Sequence, residues 1–395
     1  MLLEPLDPNE QFRSRRRQAR RRRAIRRTFA LGVVALAAAG TTLGARFLTE
    51  RDSRIANTTP PATTGTTAAA KPKPEPRPYP SEIRGVHVTM ALASVPGKID
   101  EYLDLVKEGL NTLELDVKDE NGEVAFRRPR VDLARKVGAA RNYYDPKAVV
   151  RKVRARGVYL IGRIVCFEDP ILAENAPRYA IRTADGGVWR TASGLGWTNP
   201  YDKRVWKYNV DLAEAAAKVG FDEIQFDYVR FPTDGDLSNA VFNGKTRDSK
   251  TKVVTQFIKY ARERLKPLGV RIGADVFGLT ATRNMGIGQQ PKKIGKYLDT
   301  IYPMVYPSHF GPGEYNLPDP NAQPGRTVGL ALRDFDIQLR GLDTRLVPWL
   351  QDFSLGRTYT IDDVRGQIQA ARDAGAQGYM LWNAAGVYTP GALAG

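Results

Sequence analysis

The chain has 395 residues and 42% hydrophobic composition, enough apolar material for one large folded domain, with a formal charge of +17. That charge raises nucleic acid as a partner, but its distribution argues against one. Ten arginines crowd into residues 13–27, residues 1–54 carry 13 Arg against 5 acids, and residues 81–395 hold only +7.

The arginine block opens the chain as a basic cytoplasmic n-region over residues 1–28. The apolar run FALGVVALAAAGTTLGARFL, residues 29–48, follows it directly. Arginines ahead of an apolar stretch match both a secretory signal and the positive-inside rule for a membrane anchor. Arg26-Arg27-Thr28-Phe29-Ala30 resembles a twin-arginine export signal. One hydrophobic helix is expected here, either cleaved to release a secreted protein or kept as a single-pass anchor with its N-terminus inside. Both fates place the remainder outside the cytoplasm. Residues 49–80 include NTTPPATTGTTAAAKPKPEPRPYP, a Pro/Thr-rich composition that cannot bury a core. It predicts a disordered linker that holds the domain away from a membrane or spans a wall.

From residue 81 to 395, short apolar strands alternate with helical stretches. The strands read IRGVHVT (83–89), TLELDVKD (112–119), VYLIGRIVCFED (158–169), EIQFDYVRFP (223–232), RIGADVFG (271–278), TIYPMVYPSHF (300–310), LVPWLQDFS (346–354) and GYMLWNA (378–384). Helical patterns cover 98–109, 145–156, 202–219, 249–267, 291–298, 327–341 and 361–375. This element order predicts an α/β fold, a (β/α)8 TIM barrel. An open doubly wound sheet is the alternative, but the first strand runs into HVTMALASVPG with no G-x-G-x-x-G turn. The single cysteine, Cys166, excludes an intrachain disulfide and reads as a small core residue.

In such a barrel, functional groups gather where strands end. Glu114, Asp116 and Lys118 alternate along the second strand, and Glu168 with Asp169 closes the third. Asp227 and Arg230 end the fourth, and Asp275 ends the fifth. The sixth offers Tyr306 and His309, the seventh Trp349 and Asp352, the eighth Trp382 and Asn383, and His87 sits late in the first. Period-two alternation points many of these into one mouth. Two histidines without ligand spacing argue against zinc, and no G-x-S-x-G or phosphate loop is present. No cofactor is expected.

Carboxylates and aromatic rings remain, the equipment of glycoside hydrolysis. Asp227, with Arg230 close in sequence, is the candidate charged carboxylate. Asp275, in apolar surroundings, is the candidate proton donor, with Glu168 as its rival. Trp197, Trp349, Trp382, Tyr306 and Tyr228 are candidate sugar platforms. His87, Asp116, Lys118, Asn199, Arg230, His309, Asp352 and Asn383 are candidate substrate contacts. Structural alternatives stand beside these: an Asp227 salt link to Arg230 or Lys118, a core role for His87, and a cap role for Asn199.

GFDEIQFDYVRFPTDG, IRGVHVT, GWTNPYDKRVWKYNVDLA, GADVFG, YPMVYPSHF, VPWLQDF and GYMLWNA together resemble a bacterial family of glycoside hydrolases over about residues 81–390. The resemblance implies a (β/α)8 barrel distantly similar to the alpha-amylase and alpha-galactosidase superfamilies. It also implies Asp227 as the nucleophile. Amylase-like enzymes place a Glu on the fifth strand, where this chain has Asp275, and galactosidase-like enzymes an Asp on the sixth, where it has none. The expected function is an exported or tethered glycosidase acting on a poly- or oligosaccharide through carboxylate acid/base catalysis, with a retaining outcome. A non-catalytic carbohydrate-binding or wall-scaffold protein is the alternative, and an epimerase or lyase a third class. Carbohydrate is the expected partner, with the membrane as a second if the N-terminal segment stays uncleaved. No obligate protein partner is evident.

Overall fold

In the computed structural model, residues 74–244 and 246–394 are described. The basic segment, the apolar run and the linker up to residue 73 lie outside the described residues. Among those described, no helix is long and apolar enough to cross a membrane.

The apolar runs form parallel strands β1 (Ile83–Val88), β2 (Thr112–Lys118), β3 (Tyr159–Val165), β4 (Glu223–Asp227), β5 (Arg271–Phe277), β6 (Thr300–Met304), β7 (Arg345–Leu346), β8 (Trp349–Gln351) and β9 (Gly378–Trp382). Each pairs in parallel with its neighbours, and β1–β9 pairing closes the ring. The seventh barrel position is split: β7 and β8 both pair with β6, separated by Val347-Pro348. Pro348 has no N–H to give the ladder, which interrupts the strand there. The result is the predicted eight-position barrel.

The alternating helices are α1 (Lys98–Asp104), α2 (Pro146–Ala155), α3 (Lys203–Val219), α4 (Lys250–Leu265), α5 (Pro291–Ile294), α6 (Pro324–Leu339) and α7 (Ile361–Asp373). Side-chain caps start several of them: Asp145 for α2, Asp202 for α3, Ser249 for α4 and Thr360 for α7. The outward face of the barrel packs on their apolar stripes. Phe226 of β4 and Phe167 after β3 both meet Phe257 of α4, at 5.4 and 5.3 Å between ring centroids. With Phe226 outward, alternation turns Glu223, Gln225 and Asp227 inward. The third and sixth strands end earlier than their apolar runs, at Val165 and Met304.

Residues 74–80, expected as the end of the linker, are part of the domain. Arg77 donates to Val158 O at 2.7 Å and Gly157 O at 2.9 Å, and pairs with Asp222 at 3.1 Å. Tyr79 OH lies 2.7 Å from Thr300 Oγ1, its ring flanked by the guanidinium groups of Arg271 and Arg345 at 3.9 and 4.4 Å. These partners belong to strand starts, so this segment covers the N-terminal end of the barrel.

Candidate active site

Strand register assembles the site at the opposite end. His87 pairs with Glu114 across β1–β2, Asp116 with Arg163 across β2–β3, and Arg163 with Gln225 across β3–β4. The inward side chains follow that order. His87 Nδ1 lies 2.5 Å from Glu114 Oε2, and Arg163 Nη1 donates to Asp116 Oδ1 at 2.8 Å. The same guanidinium clasps Asp227, with Nη2 and Nε donating to Oδ2 at 2.6 and 3.0 Å. Asp275 accepts from Gln225 Nε2 at 2.5 Å and from Trp349 Nε1 at 2.7 Å. Four carboxyl groups therefore gather at this end of the barrel, two of them, Asp116 and Asp227, bound to Arg163.

Their environments differ. Burial pushes the Asp275 carboxyl well up, and the Asp227 charge adds to the rise. Burial also raises Glu114 well above the usual range, with Asp275 the next contributor, and Glu114 Oε1 has no hydrogen-bond partner. Asp116 is raised to about 6 by burial, opposed by Arg163. Asp227 has a cation instead, Arg163 giving both Nη2 and Nε to Oδ2, and 9% of its side chain reaches solvent, so the pair is not sealed. Its Oδ1 accepts from Tyr228 N at 2.6 Å, and Tyr228 takes a left-handed φ of 48°. Such a turn on a bulky residue stores backbone strain directly beside the acid.

The structure brings together Asp227, Asp275, Asp116, His87, Trp349, Trp382 and Tyr306. Trp382 is half-buried, with its ring 4.7 Å from His87 and 5.7 Å from the Arg163 guanidinium. Burial raises the Tyr306 phenol, and the charges of Asp275, Asp227 and Glu114 raise it further, which sets the ring against the acids. His309 stands edge-on to Tyr306 at 5.4 Å. Trp349 is buried and holds Asp275 through its indole N–H, an orienting contact rather than a platform.

Other expected contacts sit elsewhere. Arg230 is not the cation of Asp227. It stacks among Trp197, Tyr228 and Phe277 at 5.1, 4.9 and 4.7 Å. Trp197 and Tyr228 are consequently buried rings, with no face presented to a sugar in this conformation. Lys118 leaves the mouth because the β2–β3 register shifts between Asp116 and Lys118. It pairs instead with Asp169 at 2.8 Å and Asn209 of α3 at 2.7 Å. Asn199 bonds Asn243 O and Tyr201 N, holding a loop. Asp352 accepts from Thr389 N at 2.8 Å and Oγ1 at 2.5 Å, and Asn383 donates to Asp352 O, so both fasten the C-terminal segment. Glu168 is fully buried, its backbone bridged to Trp197.

Arg163 and Gln225 are the functional candidates that sequence reasoning passed over, and Glu114 was placed in the mouth without a role. The signal was available for Arg163: an arginine inside the apolar strand YLIGRIV must meet an interior acid. Among the described residues no group of three His, Cys, Asp or Glu side chains is arranged to hold a metal ion.

Several solved structures are similar to this chain. A hypothetical protein from Ruminiclostridium thermocellum is 34% identical, with 48% of this chain and 97% of that one covered and a TM-score of 0.44. The glycoside hydrolase domain of PgaB (BpsB) from Bordetella bronchiseptica is 15% identical over 77% of this chain and 94% of its own, with a TM-score of 0.57. A chitobiase from Flavobacterium johnsoniae is 13% identical over 79% and 47%, with a TM-score of 0.50. These latter two share the fold. No curated protein matches the chain. Residues 85–388 match the family described as "Putative glycosyl hydrolase domain" (DUF4015), and the chain belongs to that family: it is a glycosidase on a (β/α)8 barrel.

Proposed function

We propose that this glycosidase cleaves O-glycosidic bonds of a poly- or oligosaccharide with Asp227 as nucleophile and Asp275 as proton donor. The observation that carries this reading is the unequal setting of the two acids. Asp227 is paired to Arg163 and touches solvent, while Asp275 is buried and pushed toward its protonated form. A carboxylate beside a proton-holding carboxyl is what glycoside hydrolysis requires. A retaining route needs these two carboxyls about 5–5.5 Å apart and an inverting route about 6.5–9.5 Å. Half-buried Trp382 supplies the apolar face for a sugar ring.

The test uses the full chain on a panel of glycans and aryl glycosides. Asp227→Asn should abolish turnover on every substrate. Asp275→Asn should lose activity on natural linkages and recover it on aryl glycosides with good leaving groups, which need no protonation. NMR of the first-formed anomer reads the stereochemistry. Loss through Glu168→Gln with Asp275→Asn active would reassign the donor. Glycan binding by the wild type without turnover would favour the non-catalytic reading.

Export is part of the proposal. It is supported by the arginine block at 13–27, the apolar run at 29–48 and the Pro/Thr-rich stretch that follows. Cell fractionation, with N-terminal sequencing of the product, separates a secreted form from an anchored one. Recovery of the intact chain in the cytoplasm overturns both.

A further inference from the structure

The β2–α2 loop carries a feature that the acid cluster does not use. It starts at the mouth, where Glu120 Oε2 lies 3.6 Å from Arg163 Nη1. Within a few residues it presents Arg127, Arg128, Arg130, Arg135 and Lys136, all exposed, against one exposed acid, Asp132. Asp132 pairs with Arg130. Among the described residues, Arg127, Arg128, Arg135 and Lys136 make no salt bridge within 4 Å, although Arg135 and Lys136 also feel the Asp132 charge. The acids earlier in the loop are otherwise engaged: Glu123 binds Arg141 at 3.0 Å, and buried Asp119 accepts from Asn121 N, Asn121 Nδ2 and Glu123 N at 3.0, 2.6 and 2.9 Å.

The loop is fastened in place rather than loose. Val124 N donates to Ala139 O at 3.0 Å, Arg141 N to Val124 O at 2.8 Å, and Tyr143 N to Ala125 O at 2.8 Å. Phe126 is buried edge-on against Tyr144 at 6.1 Å, and Tyr144 OH donates to Asp116 O at 2.8 Å. Asn175 Nδ2 holds Val137 O at 2.8 Å from the β3–α3 side. A fastened loop that starts at the mouth and forms a rim on that side thus carries four exposed cations outside any salt bridge, tied to the backbone of a site strand.

We infer that this rim binds an anionic glycan, a polymer bearing carboxylates or phosphodiesters, and feeds it to the acid cluster. Charge complementarity favours a polyanion, since fixed exposed cations raise its local concentration. A glycan polymer rather than a lipid surface is the ligand, because the loop that bears the cations starts at the acid cluster. The inference rests on the glycosidase reading for its substrate, but the binding surface is testable without turnover.

The experiment measures binding of the full chain to polygalacturonate, a poly(glycerol phosphate) polymer, neutral dextran and phosphatidylglycerol vesicles across a salt series. A variant with Arg127, Arg128, Arg135 and Lys136 all changed to Gln is compared with a charge-matched control in which Lys107, Lys218, Lys259 and Lys266 become Gln. The expected result is salt-sensitive binding to at least one anionic polymer and not to dextran. The rim variant should weaken it about tenfold or more, and the control little. Which polymer binds separates carboxylate from phosphodiester recognition. Equal loss in both variants, no loss in the rim variant, or tighter binding to vesicles than to either polymer overturns the inference. Polymer binding that depends on the rim, with no glycan cleaved, would instead sink the glycosidase mechanism and leave the surface standing.

Discussion

Strand β4 carries an inward acid at each end, and the two have opposite fates. Glu223, at the N-terminal end, accepts from Tyr302 OH at 2.8 Å and Tyr159 OH at 3.1 Å and is fully buried. Tyr79, in the covering segment, packs on Tyr159 at 5.6 Å. Asp227, on the same face four residues on, meets a cation and three further carboxyls and keeps contact with solvent. Residue type and strand face do not separate a structural acid from a candidate catalytic one. What separates them is the company: neutral donors and a cover at one end, competing charges and an opening at the other.

The sharpest way to break this contrast is to neutralise each acid. Asp227→Asn should lower kcat by roughly 10³-fold or more, while Glu223→Gln should leave it within about threefold. Steady-state kinetics on one chromogenic glycoside compares them, and equal losses would erase the distinction. Next in size is Arg163→Gln, which leaves Asp116 and Asp227 buried without their cation. It should cost about 3–5 kcal/mol in urea unfolding at pH 7, with part recovered in acid as the carboxyls protonate. An unchanged midpoint would show that the guanidinium does not hold the cluster.

The Glu223 end has its own signature. Burial raises its carboxyl from 4.5 to about 7. The folded state therefore binds this proton more tightly than the unfolded chain, and stability from this group is full below about pH 4.5 and lost as pH rises to about 7. The loss amounts to roughly 3 kcal/mol. Glu223→Gln should flatten the difference between unfolding free energies measured at pH 4.5 and 7.5, and a parallel pair of curves would refute it. The smallest effect concerns Trp349. Its N–H favours the charged form of Asp275 and so holds that pKa down. In Trp349→Phe the basic limb of the rate profile should move to higher pH by less than about one unit. A move the other way would take the proton-donor role from Asp275.

Much of this site could be read from the chain. Asp227 stands out because an acid alternates with Ile224 and Phe226, and Asp275 because it lies between Ala274 and Val276. The partners were less legible. Arg230 is three residues from Asp227 but turns into an aromatic stack, whereas Arg163 is 64 residues away and makes the pair. Lys118 matched the inward alternation until the register shift before it sent it behind the barrel. Trp197 was expected at a sugar and is buried against Arg230, because nothing in a loop sequence states which side of a ring is covered.

By itself the sequence determined the order of strands and helices and the inward face of each strand, since side-chain direction follows period two wherever the ladder is regular. It also determined where the excess basic charge lies. Tertiary structure alone decided which inward groups touch, because that depends on the stagger between neighbouring strands. It decided too which end of the barrel is covered and which stays open, because the segment that fills one end is held there by residues from strands far apart in the chain.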